Sequence, residues 1–247
     1  MTTGRTFIGI DACRSGWFCV LLDADMNGCY RVAADADAVG ELACEADSVL
    51  IDIPIGLPGD GPDGRACDRE ARHLLGAGRA SSVFSAPARR TLSATSYSSA
   101  LSLNRQATGR GLSKQAWNIV AKIREVDTLL RSNRTLQHVL HECHPELCFW
   151  ALNGKRAMQY SKKTAEGQQE RLHVLQQYLA GGHALFEQAC HDFLRREVAR
   201  DDIIDAMVCA VTARLCYGAY RTLPTNPVTD GQGLPMQIVY CLPGSCA

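Results

Sequence analysis

Residues 199–216, ARDDIIDAMVCAVTARLC, set Asp201, Asp202 and Asp205 at the head of a stretch that is otherwise apolar on every side, with eight uncharged residues between Asp205 and Arg214. A helix apolar all round lies against protein rather than water. A carboxylate carried into such a place is costly to desolvate unless a cation or donors meet it. Three more acids share that problem: Asp11 closes the apolar run before it, Asp52 interrupts SVLIDI, and Glu142 follows LQHVLH. Acids at the C-terminal ends of adjacent parallel strands face one crevice. On a helix, Asp202 and Asp205 share a face at a spacing of three, and Asp201 and Asp205 do so at four. Carboxylates this close repel unless neutralised, and an oxygen-only cluster suits Mg²⁺ or Mn²⁺. Two such ions about 3.5 to 4 Å apart activate a water and stabilise the leaving oxygen in phosphodiester cleavage.

Each acid also has a purely structural explanation. Asp11 can make a side-chain turn before Gly16, Asp202 can cap a helix start, and Glu142 can bond the turn before Pro145. Asp52, among apolar residues and before a proline, is the hardest to explain that way. The joint arrangement points to a metal: Asp11, Asp52, Asp202 and Asp205 are the expected ligands, with Glu142 assisting as a fifth catalytic acid. Whether Asp201 or Asp202 partners Asp205 depends on where the helix begins.

The elements that must position these acids are partly visible. Two apolar runs, residues 6–10 and 17–23, flank a turn, and Asn27-Gly28 signals a hairpin into a third strand. A helix is expected over 36–46, a buried strand over 48–53 ended by Pro54 and Pro58, and a second strand over 136–142. The residues between read as a helical insertion. DREARHLLG carries its own helix stop, a Ser-rich tract shows no clear period, and Leu112 to Leu130 repeat at helical spacing from a cap at Ser113. Thr164 opens a helix reaching Leu179, Gly181-Gly182 break it, and a charged helix runs to Val198. GLPMQIVYCL adds a late strand.

Charge is divided along the chain. The net is zero, yet residues 54–135 hold thirteen Lys and Arg against six Asp and Glu, and residues 71–124 hold nine basic residues and no acid. Such a block favours a phosphate or polyanion partner, or else is a solvated face balancing the acidic remainder. No run of about 18 apolar residues suggests a membrane span, and the start MTTGRTFIGIDA does not read as a secretion signal, so a cytoplasmic protein is expected. Twelve scattered cysteines with no CxxC pair read as reduced, structural thiols. Strand alternation splits His141, Cys143, His144 and Cys148 between faces, which argues against zinc.

The strings GIDACRSGW, IDIPIGLP, CDREAR, RASSVFSAP, GLSKQAWNIVAKIREVD, ECHPELCFWALNG and DDIIDA, in this order, resemble the domain of unknown function 429 family, regarded as predicted nucleases. The resemblance spans about residues 7–215. It implies an α/β protein of RNase H-like fold: a mixed five-stranded sheet, its first three strands antiparallel, helices on both faces, and a basic helical insertion (54–135) between strands 4 and 5 of a single domain (1–247). It implies that Asp11 is the first-strand acid, Asp52 the fourth-strand acid, Asp202 or Asp205 the final-helix acid and Glu142 the fifth-strand acid. Arg79, Ser81, Ser82, Arg89, Lys114 and Gln115 match motif positions and are the expected phosphate contacts. Phe84 and Trp117 are candidates to stack on bases, with packing favoured for Trp117. The function expected is a metal-dependent nuclease or related phosphodiester hydrolase using Mg²⁺ or Mn²⁺ on a nucleic acid or other phosphorylated substrate. Two other classes stay open: a non-catalytic phosphate- or nucleic-acid-binding protein, and an actin-like-fold small-molecule kinase, for which DACRSGW is poor in glycine.

Overall fold

A computed structural model describes residues 4–244. Nearly continuous buried runs build β1 (Thr6–Cys13) and β2 (Gly16–Asp23), which pair antiparallel with Cys13 opposite Gly16. That hairpin needs glycine: Gly16 has φ +137°, and a Cβ there would lie 2.1 Å from the Ala33 carbonyl oxygen. The chain turns again, with Asp23 accepting from the Asp25 and Asn27 amides, and returns as β3 (Gly28–Ala33). After α1 (Ala36–Cys44), β4 (Ser48–Ile51) runs parallel to β1, and β5 (Leu140–Glu142) runs parallel to β4. The sheet order is β3-β2-β1-β4-β5, a mixed sheet with its first three strands antiparallel.

Several boundaries differ from the sequence reading, two of them at the acids. β1 continues to Cys13, so Asp11 lies inside the strand and only ends its parallel pairing with β4. Residues Arg134–His138 form a 3₁₀ turn, which leaves three residues for β5.

Between β4 and β5 come α2 (Ala66–Arg79), α3 (Tyr97–Thr108) and α4 (Lys114–Ser132). The Ser113 side chain caps α4 by accepting from the Ala116 amide at 3.0 Å. The far half of α4 is no appendage, because Ile123, Val126 and Leu130 join Ile8, Ile10, Val49, Ile51 and α1 residues in one core. Helix α3 carries a weak signal, since its buried residues are only Ala100, Asn104 and Ala107. The other face of the sheet is covered by α5 (Pro145–Leu152), α6 (Ala165–Gln176), α7 (Gly182–Asp192) and α8 (Arg200–Leu215). All eight residues of α5 are buried, so it has no polar face to reveal a period. Helix α7 ends at Asp192, short of the expected Val198. The late strand is β7 (Ile238–Tyr240), paired with an unanticipated β6 (Arg221–Leu223) in a separate ribbon.

Among the described residues nine cysteines are free thiols, most of them buried, but Cys216 and Cys241 form a disulfide, which corrects the expectation of reduced thiols there. Among the described residues no helix is long and apolar enough to cross a membrane.

Candidate metal centre

The parallel register places Ile10 beside Ile51, so Asp11 and Asp52 are the next residues along each chain. The Asp52 amide donates to the Ile10 carbonyl at 2.9 Å, holding the two chains together there. Strand alternation does the rest. Ile8, Ile10, Val49 and Ile51 pack toward α1 and α4, which leaves Phe7, Leu50, Asp11 and Asp52 on the face covered by α8. Helix α8 reaches that face because Gly9 has no side chain: a Cβ there would lie 2.1 Å from the Ala206 carbonyl oxygen and the Ala210 nitrogen. Asp205, adjacent to this crossing, is fully buried. Asp11, Asp52 and Asp205 each offer an oxygen, and these oxygens lie within 4.8 Å of one another.

The same register explains why Glu142 does not converge. It stands opposite Ile51, not Asp52, and therefore turns to the other face. Both of its oxygens accept from Arg65 at 2.7 Å, and one also takes the Ile55 amide at 2.6 Å. Arg65 in turn binds Asp68, making a buried ion triad that ties the insertion to the sheet. The residue in Asp52's register position is Cys143, whose thiol meets Cys209 on α8. Helix α8 begins at Arg200, and although the charge of Asp202 raises Asp11, neither Asp201 nor Asp202 is among the three acids whose oxygens converge. Asp202 also has a structural duty, accepting the Ala199 amide at 3.0 Å to cap the helix.

Burial is the chief cost of this arrangement. It raises the Asp11 pKa well above the usual carboxylate range, and the charges of Asp52, Asp205 and Asp202 add to it. Asp52 is raised by burial as well, with His144 and Lys162 pulling it back. Burial pushes Asp202 and Asp205 each up to about 6. The Lys162 ammonium is ion-paired to Asp205 Oδ2. Burial works against its charge, but Asp205 and Asp11 overcome this and hold its pKa well above the usual lysine value.

Beside the carboxylates opens a cleft of about 490 Å³ whose lining includes Asp52, Asp205, Lys162, His144, Glu146 and Arg79. Four buried polar atoms in this lining have no hydrogen-bond partner among the described residues: Asp205 Oδ1, Arg79 Nη2, Glu146 Oε2 and His144 Nδ1. Buried polar groups are rarely left unsatisfied without a functional reason. The donor set fits a divalent cation, since it consists of carboxylate oxygens and one of them lacks a partner.

Of the expected phosphate contacts, Arg79, Ser81, Ser82 and Gln115 line the cleft. Lys114 is exposed and does not line it. Arg89 is elsewhere, bridging Asp127 at 2.8 Å and Asp230 as a clamp between the insertion and the C-terminal loop. Phe84 forms part of the cleft wall, whereas Trp117 packs near Tyr97. Lys162 and Glu146 were not singled out from the sequence, and His144 was weighed there only as a zinc ligand. His144 and Glu146 carried a signal, flanking Pro145 at the start of α5, but Lys162 sits in a polar loop where nothing distinguishes it from Lys163.

The fold and site define an α/β protein whose β1, β4 and α8 close a buried three-carboxylate centre beside a cation-lined cleft. Residues 9–229 match the family model described as protein of unknown function (DUF429), and the chain belongs to that family. No curated protein and no solved structure gives a significant match to it.

Proposed function

We infer that the chain is a metal-dependent nuclease or related phosphodiester hydrolase of RNase H-like fold. The carrying observation is the meeting of Asp11, Asp52 and Asp205 from three elements, with a bare buried oxygen on Asp205 and cations across the cleft. The strand order, the antiparallel first three strands and the acids on β1, β4 and the final helix support the fold assignment. Asp11, Asp52 and Asp205 would hold Mg²⁺ or Mn²⁺, with Asp202 close enough to add its charge. When bound, such an ion supplies Lewis acidity to a phosphoryl oxygen.

The chain's own residues account for the rest of the chemistry. Arg79, Ser81, Ser82 and Gln115 are placed to bind phosphate oxygens and fix the ester against the carboxylates. His144 faces the cleft with Nδ1 unpartnered while its Nε2 lies 3.3 Å from the Ser82 carbonyl oxygen, which suits it to hold or release a proton at Nδ1. Lys162 holds a positive charge on Asp205 and so limits how many further cations the site needs.

The test is calorimetric titration with Mn²⁺ together with cleavage assays on single-stranded, duplex, hybrid and branched nucleic acids. Wild type is expected to bind Mn²⁺ and to cleave at least one of these, and Asp52→Asn to do neither. Absence of Mn²⁺ and Mg²⁺ affinity in wild type, or cleavage surviving in Asp52→Asn, defeats the proposal. Salt-sensitive binding without turnover under either metal would favour the non-catalytic binding protein instead.

A further inference from the structure

A second cavity, of about 270 Å³, opens in the insertion, and its lining includes Arg69, Arg72 and Arg110. Its electrostatics are one-sided. Asp68, also in the lining, is bound by Arg65 at 2.5 Å, so Asp63 is the carboxylate left at the rim to oppose three guanidiniums. Arg72 is anchored, donating to the Val83 carbonyl at 2.7 Å and to Ser85 Oγ at 3.0 Å. Arg69 and Arg110 are exposed, and among the described residues neither pairs with a carboxylate. An acid-free stretch of 54 residues, 71–124, supplies Arg72, Arg110 and most of these walls, which leaves Asp63 and the Arg65-bound Asp68 as the acids in the lining.

The cavity adjoins the cleft at the carboxylates. Phe84 lines both, and the chain passes from Ser82 on the cleft side to Ser85 on the arginine side. The start of α4 does the same, with Gln115 in one lining and the capping Ser113 in the other. Half-buried Phe84 is thus shared by two cavities that each carry guanidinium groups. A strand of phosphates spaced by flat bases matches that pattern, because phosphates seek guanidiniums and bases stack on aromatic rings. A mononucleotide or small phosphoester would leave one of the two cavities unused.

We propose that the arginine-lined cavity is a second phosphate subsite for a single-stranded polynucleotide whose reacting phosphate sits at the carboxylates, with a base of the intervening segment against Phe84. This deepens the hydrolase reading and rests on it for the reacting end only. No base edge is read by these residues, so the subsite carries affinity and register without sequence preference.

The experiment measures fluorescence anisotropy of labelled dT₂ and dT₁₂ with the full chain in Ca²⁺, comparing wild type with the Arg69→Glu/Arg110→Glu double variant and with Phe84→Ala. Circular dichroism and thermal midpoints establish that each variant is folded. The expected result is an affinity of the double variant for dT₁₂ about tenfold or more below wild type, with the slope of log K against log salt reduced by about 1.4, the value for two lost single-strand contacts. Phe84→Ala is expected to weaken dT₁₂ severalfold without changing that slope. Affinity of the double variant within twofold of wild type overturns the proposal, and so does wild-type binding of dT₁₂ no tighter than that of dT₂ or inorganic pyrophosphate. Loss of dT₁₂ affinity in the double variant when wild type cleaves nothing in Mg²⁺ or Mn²⁺ sinks the hydrolase reading and leaves the subsite standing. Cleavage by wild type with unaltered affinity in the double variant does the reverse.

Discussion

Neutralising Asp205 should stabilise the metal-free protein, although the residue is fully buried and ion-paired. Its pKa in the folded chain is about 6, against 3.8 unperturbed, with the attraction of Lys162 already included. Between those values the folded state keeps a proton that the unfolded chain has lost, so stability falls as pH rises from about 4 to about 6 and then stays low. A shift of about two units amounts to about 3 kcal/mol at pH 7.5, and about half of that at pH 5. Asparagine reproduces the shape of the protonated acid and carries none of this cost. Asp205→Asn should therefore exceed wild type by about 3 kcal/mol at pH 7.5 in EDTA, and by about half as much at pH 5. In a chain of this size that corresponds to a midpoint roughly 6 to 12 °C higher at the neutral pH. Relief of Asp11, which Asp205 also burdens, acts in the same direction. Urea unfolding followed by tryptophan fluorescence at the two pH values measures the difference. Mn²⁺ at about 100 times its Kd should then return about 2.7 kcal/mol to wild type and nothing to the variant. A variant less stable than wild type at pH 7.5 in EDTA, or a gap that does not widen from pH 5 to 7.5, would refute the reasoning.

Three other substitutions separate structural from functional charges. Glu142→Ala leaves Arg65 buried with Asp68 alone and should cost about 3 to 5 kcal/mol in urea unfolding, the opposite sign to Asp205→Asn, while Mn²⁺ binding to the folded fraction persists. Gly9→Ala drives a methyl to 2.1 Å from the backbone of α8 and should cost about 3 kcal/mol or more, with Mn²⁺ affinity lost in calorimetry because Asp205 is pushed from Asp11. Lys162→Met removes a partly exposed counter-charge, so the metal-free protein should lose about 1 kcal/mol at pH 7.5, and Mn²⁺ should bind more tightly because its competitor on Asp205 is gone.

The acids were legible because desolvation marks them in the sequence. Asp52 within SVLIDI and Asp205 before a wholly apolar helix could not be solvated, and the structure brings both to Asp11. Glu142 looked equivalent by the same criterion, yet register decides the face, and register is not written in a three-residue strand. Pairing with Ile51 instead of Asp52 turned it toward Arg65, a partner 77 residues away. Arg89 was misplaced for a related reason: its partners Asp127 and Asp230 lie on elements that the sequence does not show to be neighbours. Lys162 was invisible because its meaning comes entirely from the tertiary approach of a polar loop to Asp205. The fold followed the same division. Helix α4 and the β1-β2-β3 meander have strong periods or turn signals, whereas α5, buried on all sides, and α3, with only small buried residues, have neither.

The contrast between the two acidic clusters bears on why the chain keeps the costly one. Around Glu142 two carboxylates share one guanidinium and burial still pushes Glu142 up to about 7, but every oxygen has a donor: Arg65 binds Glu142 and Asp68, and the Ile55 and Ala86 amides complete their bonds. Around Asp205 three carboxylates share one ammonium, an oxygen is left bare, and three more polar atoms face a cleft without partners. Both clusters lie at the same edge of the same sheet, so the difference does not come from an inability of this fold to satisfy buried acids. A second cation beside Lys162 or an asparagine at Asp52 would relieve much of the repulsion. Retention of a site with a bare oxygen beside one whose oxygens are all bound is what a centre completed by a cation from solution requires, and the stability difference argued for Asp205→Asn measures how far it is from complete without one.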